Sequence, residues 1–147
     1  FMAIATRIGI SEAETEFDLT EEKFRKVLVL EDVGYWKDKI LRDLRKFGIE
    51  TVRVTNTEDA RKKFQKENDF YAVITDKSVR KYESGPVREC EGLEYVIKLR
   101  EKYSDLKIAL WTADNSVKDY VDFLRKKDIF YLPKNYKEKE LRDFLEV

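Results

Sequence analysis

Histidine is absent from the 147 residues, and cysteine occurs once. Without imidazole there is no Ser-His or Cys-His nucleophile pair, no histidine metal ligand and no phosphohistidine. The single Cys90 excludes an internal disulfide and a Cys-rich zinc site, and it reads as a semi-buried structural thiol in a reducing compartment. No apolar run approaches the length of a membrane span, and no apolar signal-peptide core opens the chain, so a soluble cytoplasmic protein with no membrane insertion is expected. Neither sign of charge is in excess. Lys plus Arg and Asp plus Glu stand at 30 each, which leaves no net field to draw the chain to nucleic acid or an anionic membrane, and direct nucleic-acid binding is not expected. Whatever chemistry occurs here falls to carboxylates, hydroxyls and amines. Charge itself is abundant, at 41% of the chain against the usual quarter or so, while only 5 Gly and 2 Pro are present. That balance fits surface ion-pair networks and a thermophilic source.

The length allows one domain with a real core. Residues 1–24 stand apart as an N-terminal extension, in which Ser11 with Glu14 matches a capping box and Asp18 to Glu21 could start a short turn of helix; a mobile arm or a short docking helix are the two readings. From Lys26 the pattern becomes regular. Val27-Leu28-Val29-Leu30 is a continuous apolar run, as in a strand buried on both faces, and it ends in Glu31-Asp32. Trp36, Ile40, Leu44 and Phe47 then recur at helical spacing, with Gly48 as a stop. Val52 and Val54 mark a second strand, and Thr55 to Glu58 supply caps for a second helix that buries Ala60 and Phe64.

The third strand, within Phe70 to Val79, ends in Asp76. Residues 77–91 follow as a long charged loop with a Gly85-Pro86 turn signal, and Glu91-Gly92-Leu93-Glu94 opens a third helix with Leu93, Val96 and Ile97 on one face. Lys107 to Trp111 form a fourth strand ending in Thr112. Ser116 is expected to cap a helix carrying Val117, Val121 and Leu124. Ile129 to Leu132 form a fifth strand ending at Pro133-Lys134, and Asn135 with Glu138 reads as the cap of a last helix that turns Leu141, Phe144 and Leu145 inward. Strands alternating with helices demand a parallel sheet covered on both faces, so the expected fold is α/β, doubly wound, with five parallel strands and no internal repeat. The chain stops as the fifth helix ends, with no output domain expected after it.

In such a sheet the ligand crevice lies outside the carboxyl ends of the strands. Glu31 and Asp32 end the first strand, Asp76 the third, Thr112 the fourth and Lys134 the fifth. Any one acid at a strand end is ordinary solvated-loop chemistry. Three together repel unless a cation sits among them, and hard oxygen ligands without nitrogen or sulfur select Mg²⁺ over zinc. A carboxylate beside Mg²⁺ and a fixed ammonium is an arrangement suited to taking up a phosphoryl group.

At these residues the sequence resembles the receiver domain of two-component response regulators, the family of the small chemotaxis regulator. The resemblance covers residues 25–147. It rests on Val-Leu-Val-Leu-Glu31-Asp32, on Ala-Val-Ile-Thr-Asp76, on Glu-Gly92-Leu93-Glu94 at the third helix, on Leu-Trp-Thr112-Ala113, and on Tyr131-Leu-Pro-Lys134. It implies a flavodoxin-like sheet of strand order 2-1-3-4-5, with Asp76 the phosphoacceptor and Glu31, Asp32, Asp76 and the backbone carbonyl of Ser78 holding Mg²⁺. It further implies that Thr112 and Lys134 bind phosphoryl oxygens and that Tyr131 is the aromatic that turns inward on activation. The implied function is a phosphorylation-controlled signalling switch, not an enzyme. Its implied partners are a sensor histidine kinase or phosphotransfer protein upstream and a protein target downstream, and a homodimer is compatible with the family.

Two features depart from the family's pattern. Pro133 precedes Lys134 where the family commonly has Lys-Pro, and the 77–91 segment is longer than the usual connection. Its charged residues could cover the site, present a partner surface, or form a solvated insertion without a role. These departures keep open a phosphorylation-independent pseudo-receiver that acts as a binding module. An aspartyl phosphatase is a third reading, disfavoured because Ser78 stands where that chemistry wants a second acid. Trp36 and Trp111 are expected to serve packing.

Overall fold

The apolar run Val27 to Leu30 lies at the heart of the sheet with every side chain fully buried, as its lack of alternation requires. The computed structural model describes residues 25–67, 69–113 and 115–147; the 1–24 extension, expected to be an arm or short helix, lies outside the described residues. In chain order the elements are β1 (Lys26–Leu30), α1 (Gly34–Lys46), β2 (Glu50–Val54), α2 (Thr57–Lys66), β3 (Ala72–Thr75), β4 (Val79–Arg80), β5 (Val87–Arg88), α3 (Glu91–Lys102) and β6 (Lys107–Thr112). A 3₁₀ segment (Asn115–Tyr120), α4 (Val121–Lys126), β7 (Phe130–Pro133) and α5 (Glu138–Leu145) complete it. The main sheet is parallel, in the order β2-β1-β3-β6-β7. With the short hairpin strands left out of the count, that is the expected 2-1-3-4-5 topology.

Alternate strand residues face opposite layers, and two separate apolar cores result. On one side Leu28, Leu30, Val73, Ile108 and Leu110 meet Ala60 and Phe64 of α2, Val96 and Leu99 of α3, and Leu124 of α4. On the other, Val27, Val29, Ile74, Ala109, Trp111 and Leu132 meet Ile40 and Leu44 of α1 and Leu141, Phe144 and Leu145 of α5. Each buried aliphatic or aromatic side chain contributes about 1.5–3 kcal/mol before the entropy of ordering is set against it. The sheet is thus clamped from both faces, and ligands are expected at the carboxyl ends of its strands.

Local signals set the helix ends. Asn56 caps α2 by accepting from the amide of Asp59 at 2.8 Å. Gly48, at φ 76°, turns the chain out of α1, and Gly48 and Ile49 donate to the carbonyls of Arg45 and Leu44.

Three expectations need correction. The 77–91 segment is not a bare loop, because β4 and β5 pair antiparallel, Val79 with Arg88 and Arg80 with Val87, and Val79 is 1% exposed within the core. The fourth helix begins as a 3₁₀ segment and becomes α-helical only at Val121, since Asn, Val, Asp and Tyr in the 115–121 run are weak helix formers; the side chain of Ser116 lies outside the described residues. Lys137, not Asn135, precedes α5. The chain first makes a turn in which the Tyr136 amide donates to the Pro133 carbonyl, and the Lys137 amide then donates to Glu140 at 2.8 Å.

Candidate functional site

Four strand ends bring the site together. The Asp76 amide donates to the Leu30 carbonyl at 3.1 Å, which ties the residue after β3 to the last residue of β1 and sets Asp76 beside Glu31. Thr112, the last residue of β6, pairs in register with Pro133, the last of β7, so Lys134 emerges next to it. Thr112 and Lys134 are 4% and 5% exposed, and the side chain of Asp76 is 14% exposed, a nearly covered acid.

Lys134 organises the acids. Its ammonium is bonded to Glu31 Oε2 and lies 3.1 Å from Asp76 Oδ2. The other Glu31 oxygen accepts from the backbone amides of Asp32 at 2.8 Å and Val33 at 3.1 Å, so this buried carboxylate is satisfied on both oxygens. The other Asp76 oxygen accepts from the Ser78 amide at 3.3 Å. The ammonium also stands 3.8 Å from the centroid of the Trp111 ring and 5.7 Å from that of Trp36. An aromatic face attracts a desolvated cation, which adds to the hold of the acids on Lys134.

Burial pushes the Asp76 carboxyl up to about 6, opposed by the backbone amides of Ser78 and Lys77 and by the Lys77 charge. Burial likewise pushes the Lys134 ammonium down to about 7, while the two carboxylates it touches act to keep it charged. Desolvation pushes each group toward its neutral form, and the contact between them opposes it. Perturbed groups of this kind, paired in a partly covered site, are where chemistry is found.

Asp32 goes elsewhere. Its Oδ2 lies 3.2 Å from Nη1 of Arg80, on β4 of the hairpin. Among the described residues no three Asp, Glu or Cys side chains converge closely enough to cage a metal ion. The acids that the sequence places together are instead compensated by two side-chain cations, Lys134 for Glu31 and Asp76, and Arg80 for Asp32. The donor set still fits Mg²⁺ in the mode that ion prefers, one or two carboxylates with the remaining positions filled by water or substrate oxygen. Asp32, Asp76 and the Ser78 carbonyl are the residues that would hold it, with Glu31, already bonded to Lys134 and two backbone amides, acting through water.

Tyr131, the expected switch aromatic, is half-buried and packs against the core that holds Ile108, Leu124 and Ile129. Three contributors escaped the sequence reading. Arg80 is one charge among many in the insertion, with no local signal. Trp111 was assigned to packing alone, although its place beside Thr112 on a strand ending at the site could have pointed to it. Gly92 was read only as a helix start. A Cβ built there would meet the Asp76 carbonyl oxygen at 1.8 Å, so α3 approaches the acid's backbone more closely than any side chain permits.

No family model matches the chain, and no curated protein matches it in sequence. Solved structures do match it along most of its length. One is a response regulator receiver domain protein of Clostridium thermocellum, with a TM-score of 0.69 over 84% of this chain and 92% of that one at 17% identity. The chain has the receiver-domain fold. The signal receiver domain of an HD domain-containing protein of Pseudomonas fluorescens Pf-5 is similar over 84% of this chain and 92% of its own, with a TM-score of 0.67 at 14% identity. The N-terminal domain of a response regulator/sensory box/GGDEF three-domain protein of Carboxydothermus hydrogenoformans gives 0.64 at 20% identity over 83% and 91%. The receiver fold puts its ligand crevice at the sheet end where Asp76, Thr112 and Lys134 lie.

Proposed function

We propose that this chain is a phosphorylation-controlled signalling switch of two-component type, in which Asp76 accepts a phosphoryl group. The observation that carries the reading is the single ammonium of Lys134 set against Asp76 and Glu31 at the open end of a receiver-fold sheet. In the reaction an Asp76 carboxylate oxygen forms a bond to phosphorus as the donor's own bond to phosphorus breaks, phosphorus–nitrogen in a phosphohistidine and phosphorus–oxygen in acetyl phosphate, and the leaving group departs with its electron pair. Lys134 and the Thr112 hydroxyl are suited to neutralise and hold the phosphoryl oxygens. Mg²⁺, when bound by Asp32, Asp76 and the Ser78 carbonyl, would supply the remaining countercharge.

A sensor histidine kinase or phosphotransfer protein is the donor of suitable chemistry, and a protein target is the receiver of the signal. Once Asp76 is modified, Thr112 moves toward the phosphoryl group and Tyr131 turns further inward, changing the surface of α4 and β7. Phosphorylation drives that shift only through its different interactions with the two states, so a partner preferring the altered surface must in turn favour the phosphorylated form. The domain is regulatory, with no turnover of an external substrate beyond its own phosphorylation and dephosphorylation.

The deciding experiment is intact mass after incubation with acetyl phosphate and Mg²⁺. Wild type should gain one labile phosphoryl group and Asp76→Asn none; an unchanged wild type, or equal labelling of the variant, overturns the reading. A phosphorylation-independent binding module is the second reading, favoured by one observation, that Asp32 already has a cationic partner in Arg80.

A further inference from the structure

The hairpin inserted between β3 and α3 carries the observation that the proposed switch leaves unexplained. Its first strand is fixed on every side. Val79 is buried in the core, Arg80 forms a parallel bridge with Asn56 beyond the end of β2, and the Lys81 carbonyl accepts from the Glu58 amide at 2.9 Å. The Ser78 hydroxyl donates to the Glu89 carbonyl at 2.7 Å and closes the base of the hairpin. An arginine on so constrained a backbone has few places to reach. Its Nη1 stands 3.2 Å from Asp32 Oδ2, with the two side chains 36% and 32% exposed.

We propose that Arg80 is a tethered rival of the divalent cation, occupying Asp32 until the metal displaces it, so that the hairpin sets how strongly the site binds Mg²⁺. This rests on the reading of Asp76 and Asp32 as a Mg²⁺ and phosphoryl site. A guanidinium and a magnesium ion cannot share one carboxylate at contact distance without direct repulsion between their charges, and Mg²⁺ demands octahedral oxygen geometry at about 2.0–2.1 Å. Metal binding through Asp32 Oδ2 therefore requires the Arg80–Asp32 contact to open.

The pair has the character of a displaceable contact. It is partly exposed, and ion pairs of that kind are weak. Moreover, Arg80 Nε is buried without a hydrogen-bond partner, so the closed pose leaves one donor of the guanidinium unsatisfied. Because the metal binds only the open fraction, its apparent affinity is reduced in proportion to the closed population.

Isothermal titration calorimetry of Mg²⁺ into the whole chain tests this without any phosphorylation. Arg80→Gln and Arg80→Met, the second keeping an apolar stem in the buried part of the arginine's path, should each bind Mg²⁺ about two- to sixfold more tightly than wild type. Adding Asp32→Asn to either should abolish the gain. Binding in both arginine variants that equals or falls below wild type overturns the proposal while leaving the phosphoacceptor reading intact, and a gain that survives Asp32→Asn overturns it equally. Absence of Mg²⁺ binding in every protein overturns both the rivalry and the metal site on which it rests.

Discussion

The ammonium of Lys134 lies 3.1 Å from Asp76 Oδ2 while the same nitrogen is bonded to Glu31, so one cation serves two acids delivered by different strands. Glu31 is 2% exposed, and removing that cation leaves its carboxylate buried with only the Asp32 and Val33 amides as partners. Breaking a buried pair from one side strands the remaining charge, which is worse than replacing both partners.

Lys134→Met should therefore destabilise the chain by about 3–5 kcal/mol, and Glu31→Gln combined with Lys134→Met should recover more than half of that loss. Urea unfolding at neutral pH measures both. Strict additivity of the two substitutions would mean that Glu31 is held by its backbone amides alone and that Lys134 is placed by Asp76 and the tryptophan rings.

Gly92 makes a second test because the chain contains its own control. An alanine Cβ at 92 would overlap the Asp76 carbonyl oxygen, a backbone atom that cannot swing aside, whereas at Gly34 nothing lies within 4 Å. Gly92→Ala should destabilise by about 1–3 kcal/mol or more through overpacking, and should also slow labelling of Asp76 by displacing its backbone. Gly34→Ala, at the first residue of α1, should be neutral or stabilising by up to about 1 kcal/mol. Thermal unfolding of the two variants side by side decides it; equal effects would mean that α3 can shift away from Asp76 freely.

Strand and helix order was legible because each strand buried on both faces announces itself as an unbroken apolar run, and the first three helices as apolar faces at helical spacing, the first with a glycine stop and the second with a cap. The convergence of Glu31, Asp76, Thr112 and Lys134 followed from topology alone, since parallel strands deliver their carboxyl ends to one edge. Partner choice within the site was not legible. Whether an acid faces a metal, Lys134 or Arg80 depends on side-chain reach across elements distant in sequence, and nothing local to Arg80 distinguishes it from the other charges of its segment. The hairpin was hidden for a related reason. Each of its strands is two residues long, too short for alternation to register, and it is held by the burial of Val79 and by cross-strand bonds that only the folded chain supplies.

Asp76 carries the last test, through the dependence of stability on pH. An ordinary aspartate titrates near 3.8, whereas burial holds Asp76 at about 6, so between those values the folded chain keeps a proton that the unfolded chain has lost. Stability falls with rising pH wherever the folded state binds more protons, so the contribution of this group is fully present below about 4 and is lost as pH rises through about 6. At about 1.4 kcal/mol per pH unit the loss is roughly 1–3 kcal/mol. Asp76→Asn keeps the shape of the side chain without the titration. With chelator present to remove divalent ions, the variant should match wild type near pH 4 and exceed it in stability at pH 7, and the difference between the two unfolding curves isolates Asp76 from the other carboxylates that titrate in the same range. The Lys134 ammonium, in contact with the carboxylate, draws Asp76 the other way. If its attraction outweighs the burial of the carboxylate, Asp76→Asn will be the less stable protein at pH 7 and the slope will reverse, which would make the acid a stabilising member of the ion pair and not a group held charged at the fold's expense.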